Sequence, residues 1–343
     1  MNHHKRQSNI ELLRILSMLM VIGLHCNFMS LGLPTESSLS TNFWGENLRI
    51  ILENICLVSV NAFVLISGFF GIRLRKEKVF KYLFQVFFIA TIVMIIAVLF
   101  WDAQITMKAG LKFYYSYLSF NWFVSGYLAL MLMSPLVNSF ADNNNVKQLE
   151  KMVFLFFIVD CVLGYSLPNV ESIGSLNGYS LVHLLFIYSL GRLLYIRRKQ
   201  FETYSIIVFV VIFSVCVFVN SILSFQYFTG KICIWFPIAY NNPFVVLGSV
   251  AFFLIFLKLQ VGHNRIVNSL ASSAFAAFLL HANTLVYPHF IKMNTMMYNK
   301  YSGVVLFCLY VGMAVLIYLG SYLINQMQIK FSSVLIRRIS HEE

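Results

Sequence analysis

NIELLRILSMLMVIGLHC, Asn9 to Cys26, is the stretch that decides how the chain is read. It is an apolar run that carries Glu11 and Arg14 near its start and His25 near its end. The eleven-residue step from Arg14 to His25 turns an α-helix through about 1100°, roughly 20° past three full turns. The two side chains therefore share one face, about 16 Å apart along the axis. Ionisable groups inside a membrane span normally face a bundle interior or a water-filled cavity, and they mark function by default. Glu11, three residues before Arg14, is placed to pair with it. A structural reading stands beside the functional one: an Arg–Glu pair anchors the helix at one interface and His25 caps an interhelical hydrogen-bond network.

Composition extends this reading to the whole chain. Of 343 residues, 59% are hydrophobic and only 11% charged, against about 25% charged in a soluble domain. Mean hydropathy is +0.77. Apolar runs near the length of a bilayer core recur from end to end, which predicts an all-α, polytopic transmembrane bundle. The ten expected spans are Ile10–Leu33, Leu48–Ile72, Val79–Phe100, Trp122–Asn138, Met152–Leu167, Ser180–Ile196, Thr203–Leu223, Phe244–Leu259, Ile266–Tyr287 and Gly303–Asn325. No linker or repeat divides residues 1–343, so a single membrane domain is expected, with a short basic tail at 326–343.

With the N-terminus placed in the cytoplasm, eighteen of the 25 Lys and Arg fall on the cytoplasmic side and six outside, with Arg14 within the first span. Such asymmetry places both termini inside. The net charge of +12 is then a matter of topology. No basic face with interleaved aromatics lies outside the membrane, so nucleic acid is not an expected partner. Among the six Cys no two show C-x-x-C spacing, and no metal site is predicted. The outer loops, Pro34–Asn47, Trp101–Asn121, Pro168–Tyr179, Ser224–Pro243 and Pro288–Ser302, are rich in aromatic and amide side chains. These suit sugar faces and hydroxyls, and they equally suit an interfacial aromatic belt.

Further polar groups lie within apolar runs: Glu53, Asn54, Asn61, Asp160, His183, Arg192 and His281. By the topology His281 lies at a depth similar to His25. Ser67-Gly68 permits close helix approach, and Ser67 is read as packing. Arg73, Arg75, Lys76 and Lys78 follow the second span at the cytoplasmic face. They suit the phosphates of an anionic co-substrate, or merely set topology.

Several segments, in order, resemble acyltransferase family 3, integral membrane O-acyltransferases of which many modify bacterial surface glycans. Arg14 and His25 reproduce its R-x10-H first helix. FVLISGF, Phe63–Phe69, is similar to its F-x-x-x-SGF segment. Asn121–Phe123 with Tyr127 looks like its WF-containing fourth helix, and SAFAAFLLH, Ser273–His281, resembles its late segment ending in His, with Phe278 where the family often has Tyr. Only Arg73-Leu74-Arg75 stands where the family has paired Arg, and the extra C-terminal hydrolase-like domain of some relatives is not expected here. The resemblance implies transfer of an acyl group, usually acetyl, from acetyl-CoA to a hydroxyl of an envelope glycan or its lipid-linked precursor, in a bacterial cytoplasmic membrane. It implies His25 and Arg14 as catalytic residues, with Glu11, His281 and Trp122 in support and Arg73 and Arg75 at the CoA phosphates.

The chemistry stands on its own terms. A neutral imidazole can take the proton of a sugar hydroxyl as it attacks a thioester, and a covalent acyl-His step is the alternative. A permanent guanidinium can hold a phosphate or steady developing negative charge. A transporter or flippase of lipid-linked oligosaccharide would also use many spans and intramembrane charges, but the internal repeats frequent in transporters are not visible. A glycan polymerase would be expected to carry a large outer loop, which the sequence lacks.

Overall fold

The computed structural model describes residues 7–101, 106–142, 146–166, 176–233 and 235–339. Among the described residues all regular structure is helical. Helix α1 (Ser8–Cys26) ends at Asn27, and the short α2 (Phe28–Leu31) continues it. After α3 (Glu36–Thr41), α4 (Phe43–Cys56) and α5 (Val58–Phe70) run on from one another through Leu57. The chain continues with α6 (Lys76–Phe100), α7 (Met107–Phe120), α8 (Trp122–Asp142) and α9 (Val146–Phe157). A π-helical turn, Ile158–Leu163, joins α9 to α10 (Gly164–Ser166). Then follow α11 (Leu181–Ile196), α12 (Arg198–Glu202), α13 (Ile206–Phe228), α14 (Pro243–Lys258), α15 (Arg265–Ala271), α16 (Ala274–His281), α17 (Tyr287–Lys300) and α18 (Gly303–Ile339).

Among the described residues, six helical segments are long and apolar enough to cross a membrane: Ser8–Leu31, Phe43–Phe70, Lys76–Phe100, Trp122–Asp142, Ile206–Phe228 and Gly303–Ser333. Helices α11 and α14 are apolar but have only 16 residues, about 24 Å of rise. The fifth and ninth expected spans are interrupted, the fifth by the π turn and the ninth at Ser272-Ser273. At the break in the ninth, backbone carbonyls take hydrogen bonds from another helix. Asn325 Nδ2 donates to the Ser272 carbonyl at 3.2 Å and Tyr318 Oη to that of Leu270 at 3.1 Å, both from α18. Irregular backbone at membrane depth is tolerated where protein satisfies it in this way.

Two expected boundaries change. The last helix does not stop at Asn325: it runs to Ile339, so most of the expected tail is helical, and Gln328 and Ser332 are buried. The expected loops Trp101–Asn121 and Pro288–Ser302 are largely helical, as α7 and α17.

Helix α1 lies at the centre, packed on α4, α5, α14, α15, α16 and α18. Next to it, α5 and α11 meet through glycines. A Cβ on Gly68 would stand 2.2 Å from the Tyr188 carbonyl oxygen, and one on Gly191 2.6 Å from that of Leu65. Small residues at such crossings let backbones approach closely. Gly68→Val is expected to force the pair apart at a cost of about 1–3 kcal/mol. The measurement is the thermal midpoint of purified protein, and an unchanged midpoint would refute the close packing. Buried polar groups tie the same region: His183 bonds Asp160 at 2.7 Å and Asn61 at 2.8 Å, and Asn61 Nδ2 donates to the Tyr240 carbonyl at 3.0 Å.

Candidate active site

The chemistry of the first helix is set by a chain of hydrogen bonds. His281 Nδ1 lies 2.6 Å from the Ala277 carbonyl oxygen, one turn back on α16. A carbonyl only accepts, so His281 carries its proton on Nδ1, and its Nε2 is an acceptor. His25 Nδ1 lies 2.9 Å from that Nε2 and therefore donates to it. The bare nitrogen of a neutral His25 is then Nε2. Which ring nitrogen holds the proton is dictated by the partner of the other one, and here the dictation starts from a backbone atom. The backbone of His25 is held as well, its carbonyl accepting from Ser30 Oγ at 2.5 Å. The edge of Tyr287 closes on the ring at 5.8 Å between centroids.

Two cavities meet at this imidazole. The first encloses about 720 Å³ and is walled by α1, α5, α6, α8, α15, α16 and α18. Its lining combines apolar side chains, among them Val21, Val60, Phe63, Phe123 and Phe278, with the polar Arg14, Lys81, Gln85, Asn325, Gln328 and Ser332. The second cavity, about 480 Å³, is walled by aromatic rings, by aliphatic side chains such as Leu24, Leu57 and Ile238, and by Glu53, Asn121 and Thr284. His25, Trp122, Tyr240 and Phe278 line both. A compartment lined by Arg14 and Lys81 and one rich in aromatic rings, without Lys or Arg, thus share a single imidazole. The sequence model of one family, described as an acyltransferase domain, matches residues 7–340, nearly the whole chain. The protein belongs to acyltransferase family 3. No curated protein and no solved structure matches it.

In this acyltransferase the predicted residues divide into two groups. Arg14, His25, His281 and Trp122 come together around the paired cavities. Arg14 lines the first, its Nη1 3.4 Å from each carboxylate oxygen of the buried Glu11. Trp122 stacks on Tyr240 at 5.9 Å and meets the edge of Tyr179 at 4.8 Å. Arg73 and Arg75 do not line either cavity; they are exposed between α5 and α6. The lysine that does line the first cavity is Lys81, which forms no ion pair among the described residues.

Other wall residues of the acyltransferase escaped the sequence reading. Ser67, read as packing, lines the first cavity and shares a 2.9 Å hydrogen bond with Tyr127 Oη. Gln328 and Ser332 sit in the expected tail. With Ser321 and Asn325 they repeat at helical spacing, a polar stripe that the apolar count of the last span passes over. Glu53 was visible only as an isolated acid. Its carboxylate accepts from Asn27 Nδ2 at 2.8 Å and from the Phe28 backbone N–H, which ties it to the end of α1 two residues past His25.

Proposed function

We propose that this acyltransferase moves an acetyl group from acetyl-CoA to a hydroxyl of an envelope glycan or its lipid-linked precursor, as a multi-pass protein of a bacterial cytoplasmic membrane with its N-terminus inside. One observation carries the reading: His25, with Nε2 free of its proton, lines both of two chemically different cavities. The Lys/Arg bias assigns the Arg14 end to the cytoplasm, where acetyl-CoA is found, and the His25 end to the outside.

The first cavity fits the donor. Arg14 and Lys81 supply cations for phosphate oxygens, the amides and hydroxyls of α6 and α18 suit a polar arm, and the apolar walls suit a thioester and a short acyl chain. Arg73 and Arg75, outside the lining, are left the part of drawing an anion towards the mouth. His25 Nε2 takes the acceptor hydroxyl's proton as that oxygen attacks the thioester carbonyl. The new C–O bond forms, the C–S bond breaks, and the proton passes from His25 to the departing thiolate. His281 keeps the ring oriented and steadies the transient imidazolium through Nδ1–H. Direct transfer is favoured over an acyl-His step, because both cavities open on the same ring and the two substrates can meet there.

Arg14→Lys tests the donor side. A lysine keeps the charge but loses the planar fork, so transfer is expected to fall about tenfold, the equivalent of ~1.4 kcal/mol. Release of free CoA by membranes supplied with acetyl-CoA reads the rate. Wild-type turnover in Arg14→Lys would show that the fork has no role.

A further inference from the structure

We infer that the second cavity is the acceptor site and that it admits a neutral sugar ring, with the Glu53 carboxyl accepting a hydrogen bond from a hydroxyl beside the one that reacts. The inference rests on the acyl-transfer reading and adds the class of acceptor to it.

Three observations carry it. First, the walls of the 480 Å³ cavity are aromatic: Trp122, Tyr179, Tyr240 and Tyr287 present rings to it. Aromatic faces receive the C–H faces of a sugar, while a carboxyl, an amide and a hydroxyl receive its O–H groups. Glu53, Asn121 and Thr284 supply those three groups in the same lining. Second, Glu53 is 3% exposed and has no cation within ion-pair distance among the described residues. Its protein partners are one side-chain amide and one backbone N–H, and a carboxylate's two oxygens offer about four lone-pair sites. It keeps capacity for a ligand hydroxyl on the cavity side.

Third, the two compartments differ in their cations. Arg14 and Lys81 line the first, whereas neither Lys nor Arg lines the second, and its acid is Glu53. A uronic acid or a phosphorylated sugar would bring a negative charge into a lining that offers no Lys or Arg to receive it. Burying a charge without a partner is costly. The cavity therefore selects against an acidic ring at the reacting position. Asn121, Tyr179 and Tyr240 come from segments that the Lys/Arg bias places outside, on the side where an exported glycan is found.

The test uses full-length protein in its own host, in which the gene is deleted and restored as wild type, Glu53→Gln or Thr284→Trp. Gln keeps an acceptor for Asn27, and Thr284 is exposed, so a bulky ring there fills the cavity without entering the core. Tandem mass spectrometry of the lipid extract and of the polymer, analysed separately, locates the acetyl group and tells lipid-linked sugar from finished glycan as the acceptor. Binding of acetyl-CoA to purified protein is measured alongside. Expected are acetyl on a neutral ring, a loss of acetyl content of about tenfold or more in both variants, and acetyl-CoA affinity within about twofold of wild type, a change well under the 1.4 kcal/mol of a tenfold step. Acetyl on an acidic residue, full acetylation in both variants, or loss of acetyl-CoA binding in Thr284→Trp would each overturn the assignment. Wild-type protein that neither binds acetyl-CoA nor acetylates would overturn the acyl-transfer reading itself, and this proposal with it.

Discussion

Membranes carrying His25→Ala should transfer acetyl about 10²–10⁴-fold more slowly than wild type, the usual worth of a positioned general base. The loss belongs to chemistry and not to folding. His25 is only half-buried at the meeting point of two cavities, so its removal enlarges space that is already open. Protein level in the membrane and acetyl-CoA affinity should stay near wild type, because Arg14 and Lys81, the cations that line the first cavity, are unchanged. CoA release and immunodetection on the same membranes measure both quantities. Transfer within a few-fold of wild type would remove His25 from the mechanism.

His281 is the second position with a large expected effect, and it acts through His25. His281→Leu leaves the Nδ1–H of His25 without its acceptor, and the ring becomes free to hold its proton on Nε2, where it cannot serve as a base. A loss of about 10- to 100-fold in kcat is expected, the range typical for an outer partner that orients a functional imidazole. His281→Gln offers an amide oxygen to the same N–H and should recover part of the rate. A merely structural role predicts the same rate in both variants at equal thermal midpoints, so the difference between Leu and Gln is the decisive reading.

Much of this site was legible in the sequence, and the reasons differ from residue to residue. Arg14 and His25 stood out because helical geometry alone puts them on one face of an apolar run. Glu11 was readable from its spacing, and the pair with Arg14 is present at 3.4 Å. His281 was placed at the right depth, but 256 residues separate it from His25, and no local pattern encodes a contact over that distance. The ninth span looked continuous because SLASSAFAAFLLH contains neither Pro nor Gly. At its break Asn325 and Tyr318, some fifty residues later, supply hydrogen bonds to the backbone.

Arg73 and Arg75 are the opposite case, outside both cavity linings. A basic cluster after a span is conspicuous, so it drew the donor phosphates in the sequence reading. Lys81, one more charge in the same count, is the residue in the cavity wall. Charge near a membrane face reports topology first, and only the fold tells which cation turns inward. Glu53 was equally conspicuous as an acid in an apolar run, yet its meaning came only from the compartment around it and from Asn27, which joins it to the end of the first helix.

The central claim is that a single imidazole joins a donor cavity to an acceptor cavity so that an acetyl group reaches a glycan hydroxyl. The most direct measurement is mass spectrometry of surface glycans from three otherwise identical strains: wild type, gene deletion, and deletion restored with His25→Ala. The account predicts one acetyl mass difference, present in wild type and missing from the other two. Identical glycans in wild type and deletion, or full acetylation restored by His25→Ala, would contradict it.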